Sequence, residues 1–169
     1  LNWLALAKLG AVNAPINPEF SGPALARLIN LTGARILVLE ASLAASIADI
    51  AADLLHLKII IVRGHEDFVP DSRLARFDYR VLDDLTQAAA RPSPVEVHFV
   101  DSALISFTSG TTGVSKAVEW SHRYALRYAA EYIEHWELLE EDVLYTAYPL
   151  FHIDAAISTF LTAMHRGAS

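Results

Sequence analysis

Blocks of apolar residues along the chain switch between two spacings, one helical and one extended. Residues 2–9 carry a helical spacing that stops at Gly10, and 11–16 form a short extended run ended by Asn17-Pro18. Ser21 suits an N-cap, Pro23 the first helical turn, and Gly33 the residue that ends that helix. An extended run follows at 35–39. Ser42 then opens a helix in which Leu43, Ile47, Ile50 and Leu54 fall four, three and four residues apart, an apolar stripe on one face. Lys58-Ile59-Ile60-Ile61-Val62 is the clearest strand, continuous and β-branched, as expected of a parallel strand covered on both faces.

Residues 64–79 read as a loop, and a short helix follows at about 80–90. Arg91-Pro92-Ser93-Pro94 marks a boundary, because two prolines remove donors and stiffen the chain. Beyond it come a strand at 103–108, a Gly/Thr-rich loop, a strand at 116–120 and a long helix at 123–137. A strand near 143–147 and a helix from about 153 complete the pattern. No internal repeat stands out. Strands alternating with helices predict an α/β fold, a layered sheet with helices on both faces.

Composition narrows the function. With 169 residues, 53% of them hydrophobic, 20% charged and a mean hydropathy of +0.30, the chain can build a core, which excludes intrinsic disorder. Lys58 and Arg63 bracket the most apolar stretch, so no membrane span is expected. Twenty acids against 13 bases give a net charge of -7, which disfavours nucleic acid as a partner. The absence of cysteine excludes disulfide scaffolds and thiolate zinc sites. Leu1 is not a natural start and no signal-peptide pattern opens the chain, so a cytoplasmic segment of a longer protein is expected.

The chemistry concentrates in one loop. Residues 107–117 read Phe-Thr-Ser-Gly-Thr-Thr-Gly-Val-Ser-Lys-Ala. Gly110 and Gly113 let backbone N–H groups approach a ligand closely, and successive N–H groups in a turn form an anion-binding concavity. Thr108, Ser109, Thr111 and Thr112 add small donors, and Lys116 adds a compact positive charge. The Walker A pattern does not fit, because two residues separate Gly113 from Lys116 and Ala117 follows the lysine. The competing reading is a plain polar turn between two strands.

Residues 108–116 resemble the phosphate-binding signature of the adenylate-forming superfamily, which includes acyl-CoA synthetases, peptide-synthetase adenylation domains and luciferases. Ser115 and Ala117 stand where that signature usually has Pro and Gly. Tyr148-Pro149-Leu150-Phe151-His152 resembles the motif that opens a helix beside the carboxylate pocket of acyl-CoA synthetases, and Asp142-Val143 fits the approach to it. Ala7-Lys8-Leu9-Gly10-Ala11-Val12-Asn13-Ala14-Pro15-Ile16-Asn17-Pro18 is similar to a segment of the same N-terminal domain. The resemblance implies that 1–90, with Rossmann-like βα units, and 91–169, with the phosphate loop and acyl-pocket helix, are portions of one truncated N-terminal domain. It also implies ATP, Mg2+ and coenzyme A as cofactor and co-substrates. A small carboxylic acid would attack the α-phosphorus of MgATP, and the coenzyme A thiol would then displace AMP. Thr108, Ser109, Gly110, Thr111, Thr112, Gly113 and Lys116 would hold the phosphates, and Phe151 and His152 would shape the carboxylate end, with His152 as the catalytic candidate.

His152 also separates substrates. Amino-acid adenylation domains usually place Asp there to pair with the substrate ammonium, so His152 favours a plain carboxylic acid, although Asp154 lies two residues on. The run Phe151-His152-Ile153-Asp154 resembles carnitine-type CoA ligases. A helix-start histidine bonded to backbone is the alternative for His152. His122 reads as packing or ligand contact, and Tyr124, Tyr128 and Tyr132 as a packing face or a substrate-lining one. Glu137, Glu140, Glu141 and Asp142 read as a solvated turn. An amino-acid adenylation domain and a catalytically silent nucleotide-binding module remain the alternatives. The segment by itself is expected not to turn over, and to self-associate or need the missing remainder of the polypeptide through exposed apolar surface.

Overall fold

The computed structural model describes residues 2–64, 71–86, 95–108 and 115–169. They fall into two compact units, Asn17–Pro92 and the combination of Leu1–Ile16 with Ser93–Ser169. Residues 91–94, where the proline-rich boundary is expected, lie outside the described residues.

In the Asn17–Pro92 unit, helix α2 (Gly22–Thr32) starts after Ser21, carries Pro23 in its first turn and ends at Gly33. Gly33 adopts φ 63°, a left-handed conformation that glycine takes without a Cβ clash. Strand β1 (Ile36–Glu40) pairs in parallel with β2 (Ile59–Arg63). The segment between them is broken into a 3-10 turn (Ala41–Leu43), helix α3 (Ala44–Asp49) and a second 3-10 turn (Ala51–Asp53). Ser42 therefore does not open a regular α-helix, yet the expected stripe survives, with Ile47, Ile50 and Leu54 buried.

The end of the expected loop at 64–79 and the start of the expected helix at 80–90 form strand β3 (Asp78–Val81), which adds to β2 in parallel, making the sheet order β1-β2-β3, and α4 (Leu82–Thr86) follows. Four residues with Asp78 and Arg80 exposed carry little apolar signal, which is the usual dress of an edge strand. Along β2, Ile60 and Val62 are buried while Ile59 and Ile61 are half-buried, so the run alternates despite being continuously apolar.

In the other unit, helix α1 (Asn2–Lys8) stops at Gly10, whose φ is 65° and where a Cβ would lie 3.1 Å from Val95 Cγ1. Within the expected extended run, Asn13 bridges to Leu104 in parallel, donating to Ala103 O at 3.0 Å and accepting from Ile105 N–H at 2.7 Å. Strands β4 (Ser102–Thr108) and β5 (Lys116–Ser121) form an antiparallel hairpin. Helix α5 (His122–His135) follows directly, capped by Ser121 Oγ, which accepts from Tyr124 N–H at 3.1 Å. A π-helix (Asp154–Leu161) runs into α6 (Thr162–Arg166). Leu104, Ala125, Ala129, Ile157 and Leu161 make the core that joins the hairpin, α5 and the π-helix.

No strand forms at 143–147. Val143 and Tyr145 are 79% and 88% exposed, so their alternation faces solvent and has no sheet to enter. Backbone bonds there run to the tail instead, from Leu144 N–H to Ser169 O and from Ser169 N–H to Asp142 O.

Two outcomes follow from these contacts. Leu104→Ala should cost about 2–5 kcal/mol, read as a lower denaturant midpoint, whereas Leu55→Ala, at a 72% exposed position, should change it little. The Arg73 guanidinium hydrogen-bonded to Asp71 pulls that carboxyl down to about 2. Because the folded value is depressed, the stabilising contribution is present at neutral pH and is lost as pH falls from about 4 towards 2. NMR titration should find the low midpoint and see it rise in Arg73→Ala.

Candidate functional site

The hairpin brings the two ends of the hydroxyl- and glycine-rich loop together. Thr108 pairs directly with Lys116 across β4 and β5, and both side chains are exposed at the open end. Ser109, Gly110, Thr111, Thr112 and Gly113 lie outside the described residues. The root of the loop is held from within. Trp120 Nε1 donates to Ser106 Oγ at 2.9 Å, and Ser106 is buried beside Ala103 and Leu104. Ser102 donates to Glu119 across the other end of the hairpin.

His152 sits in the turn that leads into the π-helix. Its N–H donates to Pro149 O at 2.8 Å and its carbonyl accepts from Ala156 N–H at 3.0 Å. The Nδ1 atom accepts from Asp154 N–H at 3.3 Å, whereas Asp154 Oδ2, at 3.5 Å, is too far for a strong hydrogen bond. A neutral imidazole that accepts at Nδ1 carries its proton at Nε2. That leaves an N–H donor on a ring whose side chain is 42% exposed. Tyr148 stacks on the imidazole at 4.5 Å and 15°, which fixes the plane of the ring. The bond at Nδ1 fits the reading of His152 as a helix-start histidine bonded to backbone, and the ring stays partly exposed. Phe151 is half-buried next to it.

The π-helix carries side-chain bonds to its own carbonyls. Thr162 Oγ1 donates to Ile157 O at 2.9 Å and Thr159 Oγ1 to Asp154 O at 3.3 Å, each spanning five residues. At Ile157 O the Thr162 hydroxyl adds to the bond that the Thr162 backbone N–H already makes. Such π-turns recur at functional sites.

Along α5 the aromatic residues behave differently from the expected packing face. Ala125 and Ala129 point to the core, and the rings form a ladder beside them. Trp120 meets Tyr124 at a centroid spacing of 4.8 Å and Tyr128 at 5.9 Å, and from Tyr128 the row continues to Tyr132 at 5.7 Å and on to Trp136 at 6.4 Å. Tyr128 is partly buried against the core, while Tyr124 and Trp136 are exposed. A cavity lies at each end of this ladder. One, of about 530 Å³, is bordered by Arg123, Tyr124, Arg127 and Glu131. The other, of about 480 Å³, is bordered by Tyr132, Trp136, Tyr148, Asp154 and Ser158.

Asp154 and Ser158 escaped the sequence reading as pocket residues, although their four-residue spacing on one helical face was a usable signal. His122 starts α5, and its buried Nε2 has no hydrogen-bond partner among the described residues. The acidic turn is spent on local contacts: Asp142 Oδ2 accepts from Leu139 N–H, and Glu140 lies 3.6 Å from Arg166. Among the described residues no group of three or more His, Asp or Glu side chains is placed to hold a metal ion. None of the described helices is long and apolar enough to cross a membrane.

The model of the AMP-binding enzyme family matches residues 1–169. The chain belongs to the AMP-binding enzyme family. Crotonobetaine/carnitine–CoA ligase of Proteus mirabilis (strain HI4320) is 34% identical over 173 residues, covering 99% of this chain and 32% of that protein. 4-Coumarate–CoA ligase 5 of Oryza sativa subsp. japonica is 28% identical over 99% of this chain and 30% of that protein. The chain thus spans about a third of the length of the curated relatives it matches. Among solved structures, the anthranilate CoA ligase AuaEII in complex with anthranoyl-AMP superposes with a TM-score of 0.80 at 24% identity, over 99% of this chain and 31% of that one. That likeness carries the mixed α/β fold of the family to this chain.

The bond between Trp120 and Ser106 in the hairpin is open to test. Ser106→Ala strands the Trp120 indole N–H and should cost about 1–2 kcal/mol. Urea unfolding followed by tryptophan fluorescence would measure the loss.

Proposed function

We propose that the complete polypeptide is an ATP-dependent carboxylate–CoA ligase. In the first step a carboxylate oxygen attacks the α-phosphorus of MgATP, forming acyl-AMP and releasing pyrophosphate. In the second, the thiol of coenzyme A attacks the acyl carbon, forming the thioester and releasing AMP. The first step brings two anions together, so catalysis rests on charge neutralisation and alignment.

The observation that carries this reading is the pairing of Thr108 with Lys116. It gathers both ends of a loop rich in small donors at one point and puts an ammonium group there. Lys116, the hydroxyls of Thr108, Ser109, Thr111 and Thr112, and the N–H groups around Gly110 and Gly113 would hold the β- and γ-phosphates. They would also stabilise the departing pyrophosphate. His152 would donate from Nε2 to the substrate carboxylate, with Phe151 walling that end. The described residues offer no cage for Mg2+, which fits an ion that travels with ATP and keeps most of its ligands on phosphate and water. Exposure of Tyr145, Tyr148 and Leu150 supports completion of the site by further polypeptide, or self-association through the same surface.

Lys116→Ala in the complete polypeptide should reduce carboxylate-dependent ATP–pyrophosphate exchange by on the order of 10- to 100-fold, the effect of removing a hydrogen bond to a charged group. Exchange at the wild-type rate with unchanged KM for ATP would sink the phosphate-binding role.

A further inference from the structure

Two restraints hold the His152 imidazole, and they do different jobs. Rotation of such a ring about its last side-chain torsion is broad and roughly two-fold. Stacking on Tyr148, with centroids 4.5 Å apart and planes at 15°, selects a plane but leaves two orientations half a turn apart. The Asp154 N–H chooses between them, because it needs an acceptor and Nδ1 provides one. That bond is 3.3 Å long, beyond the usual range for N–H donors, so it secures a ring already in plane better than one free to turn. With 42% of the His152 side chain exposed, packing from other neighbours does little to replace the stack.

Tyr148 is itself well held. Thr146 Oγ1 accepts its backbone N–H at 3.1 Å, and the following Pro149 restricts it to extended conformations. The bond from His152 N–H to Pro149 O closes the turn that brings residues 148 and 152 face to face. Yet Tyr148 is 55% exposed, so it adds little to the core. It also borders the cavity of about 480 Å³, which His152 does not. Truncating it therefore widens an open space and leaves no void in the core. We infer that Tyr148 is a positioning residue for the ligase reaction: through its stack on His152 it sets the direction of Nε2–H, the donor to the substrate carboxylate. The inference rests on the ligase reading, which supplies that carboxylate. A ring pair shifts an equilibrium by about 2- to 10-fold, which sets the size of the effect.

The test uses the complete polypeptide and a panel of aliphatic and aromatic acids that includes butyrate, octanoate and benzoate, with the fastest carried forward. Tyr148→Leu, or Tyr148→Gln as a second variant without a ring, should lower kcat/KM for the acid in ATP–pyrophosphate exchange by about 3- to 10-fold and leave KM for ATP within about twofold. Tyr148→Phe, which keeps the ring, should recover most of the loss. In a His152→Ala background Tyr148→Leu should add no further loss, because the side chain through which it acts is gone. NMR at mildly alkaline pH should show the two ring nitrogens of His152 well separated in the wild type, as one fixed tautomer requires, and drawn together in Tyr148→Leu. Undiminished exchange in both ringless variants overturns the assignment, as does a full additional loss in the His152→Ala background or a Tyr148→Phe enzyme no better than Tyr148→Leu. Unchanged ring-nitrogen shifts in Tyr148→Leu overturn the positioning alone. Silence of the wild type with the whole panel overturns the ligase reading.

Discussion

Burial of Leu104 is the contact on which the site depends. This side chain is 1% exposed and meets Ala125 and Ala129 of α5 and Ile157 and Leu161 of the π-helix. The strand that carries it also carries Thr108 at its end, and the helix that carries Ile157 begins at Asp154. One apolar cluster therefore sets the position of the loop that would bind phosphate and of the turn that would bind carboxylate. Alanines on α5 matter as much as the larger residues, because only a small side chain lets the helix axis approach the hairpin this closely.

Small residues facing the core also explain the ladder of rings. With Ala125 and Ala129 turned inward, the larger residues at four-residue intervals lie along the side of α5, where Tyr128 stacks on Tyr132 at 5.7 Å. Each ring is braced by the next, so the cavity walls at both ends inherit stiffness from a row anchored at Trp120, whose indole is tied to Ser106. Aromatic pairs contribute about 0.5–1.5 kcal/mol beyond area burial, enough over several pairs to hold exposed rings in place.

Much of this was legible in the sequence. Ser21, Pro23 and Gly33 mark the ends of α2 through local backbone chemistry, which needs no tertiary information. The motif around His152 and the Thr/Ser/Gly string were legible because their residue types are unusual for plain turns. What was not legible depends on partners distant in sequence. Strand β3 is a strand only because β2 offers an open edge, and 143–147 is not one because no edge is offered there. The π-turn was hidden because a five-residue hydrogen-bond spacing, shared here by the Thr159 and Thr162 hydroxyls, is one that apolar periodicity does not record. Asp154 was visible as a residue, but its membership of a cavity wall required the fold of α5 against the π-helix.

Charge placement ties these features together. The chain is acidic overall, with a net charge of -7, yet the proposed reaction joins a carboxylate to a triphosphate. Net charge does not decide this, because local potentials are set within about a Debye length of each group. Lys116 puts positive charge where the triphosphate would lie. Neutralising the phosphates there lowers the repulsion that an incoming carboxylate would meet, and a hairpin braced by the bond from Trp120 to Ser106 would keep that charge in place for in-line attack on phosphorus.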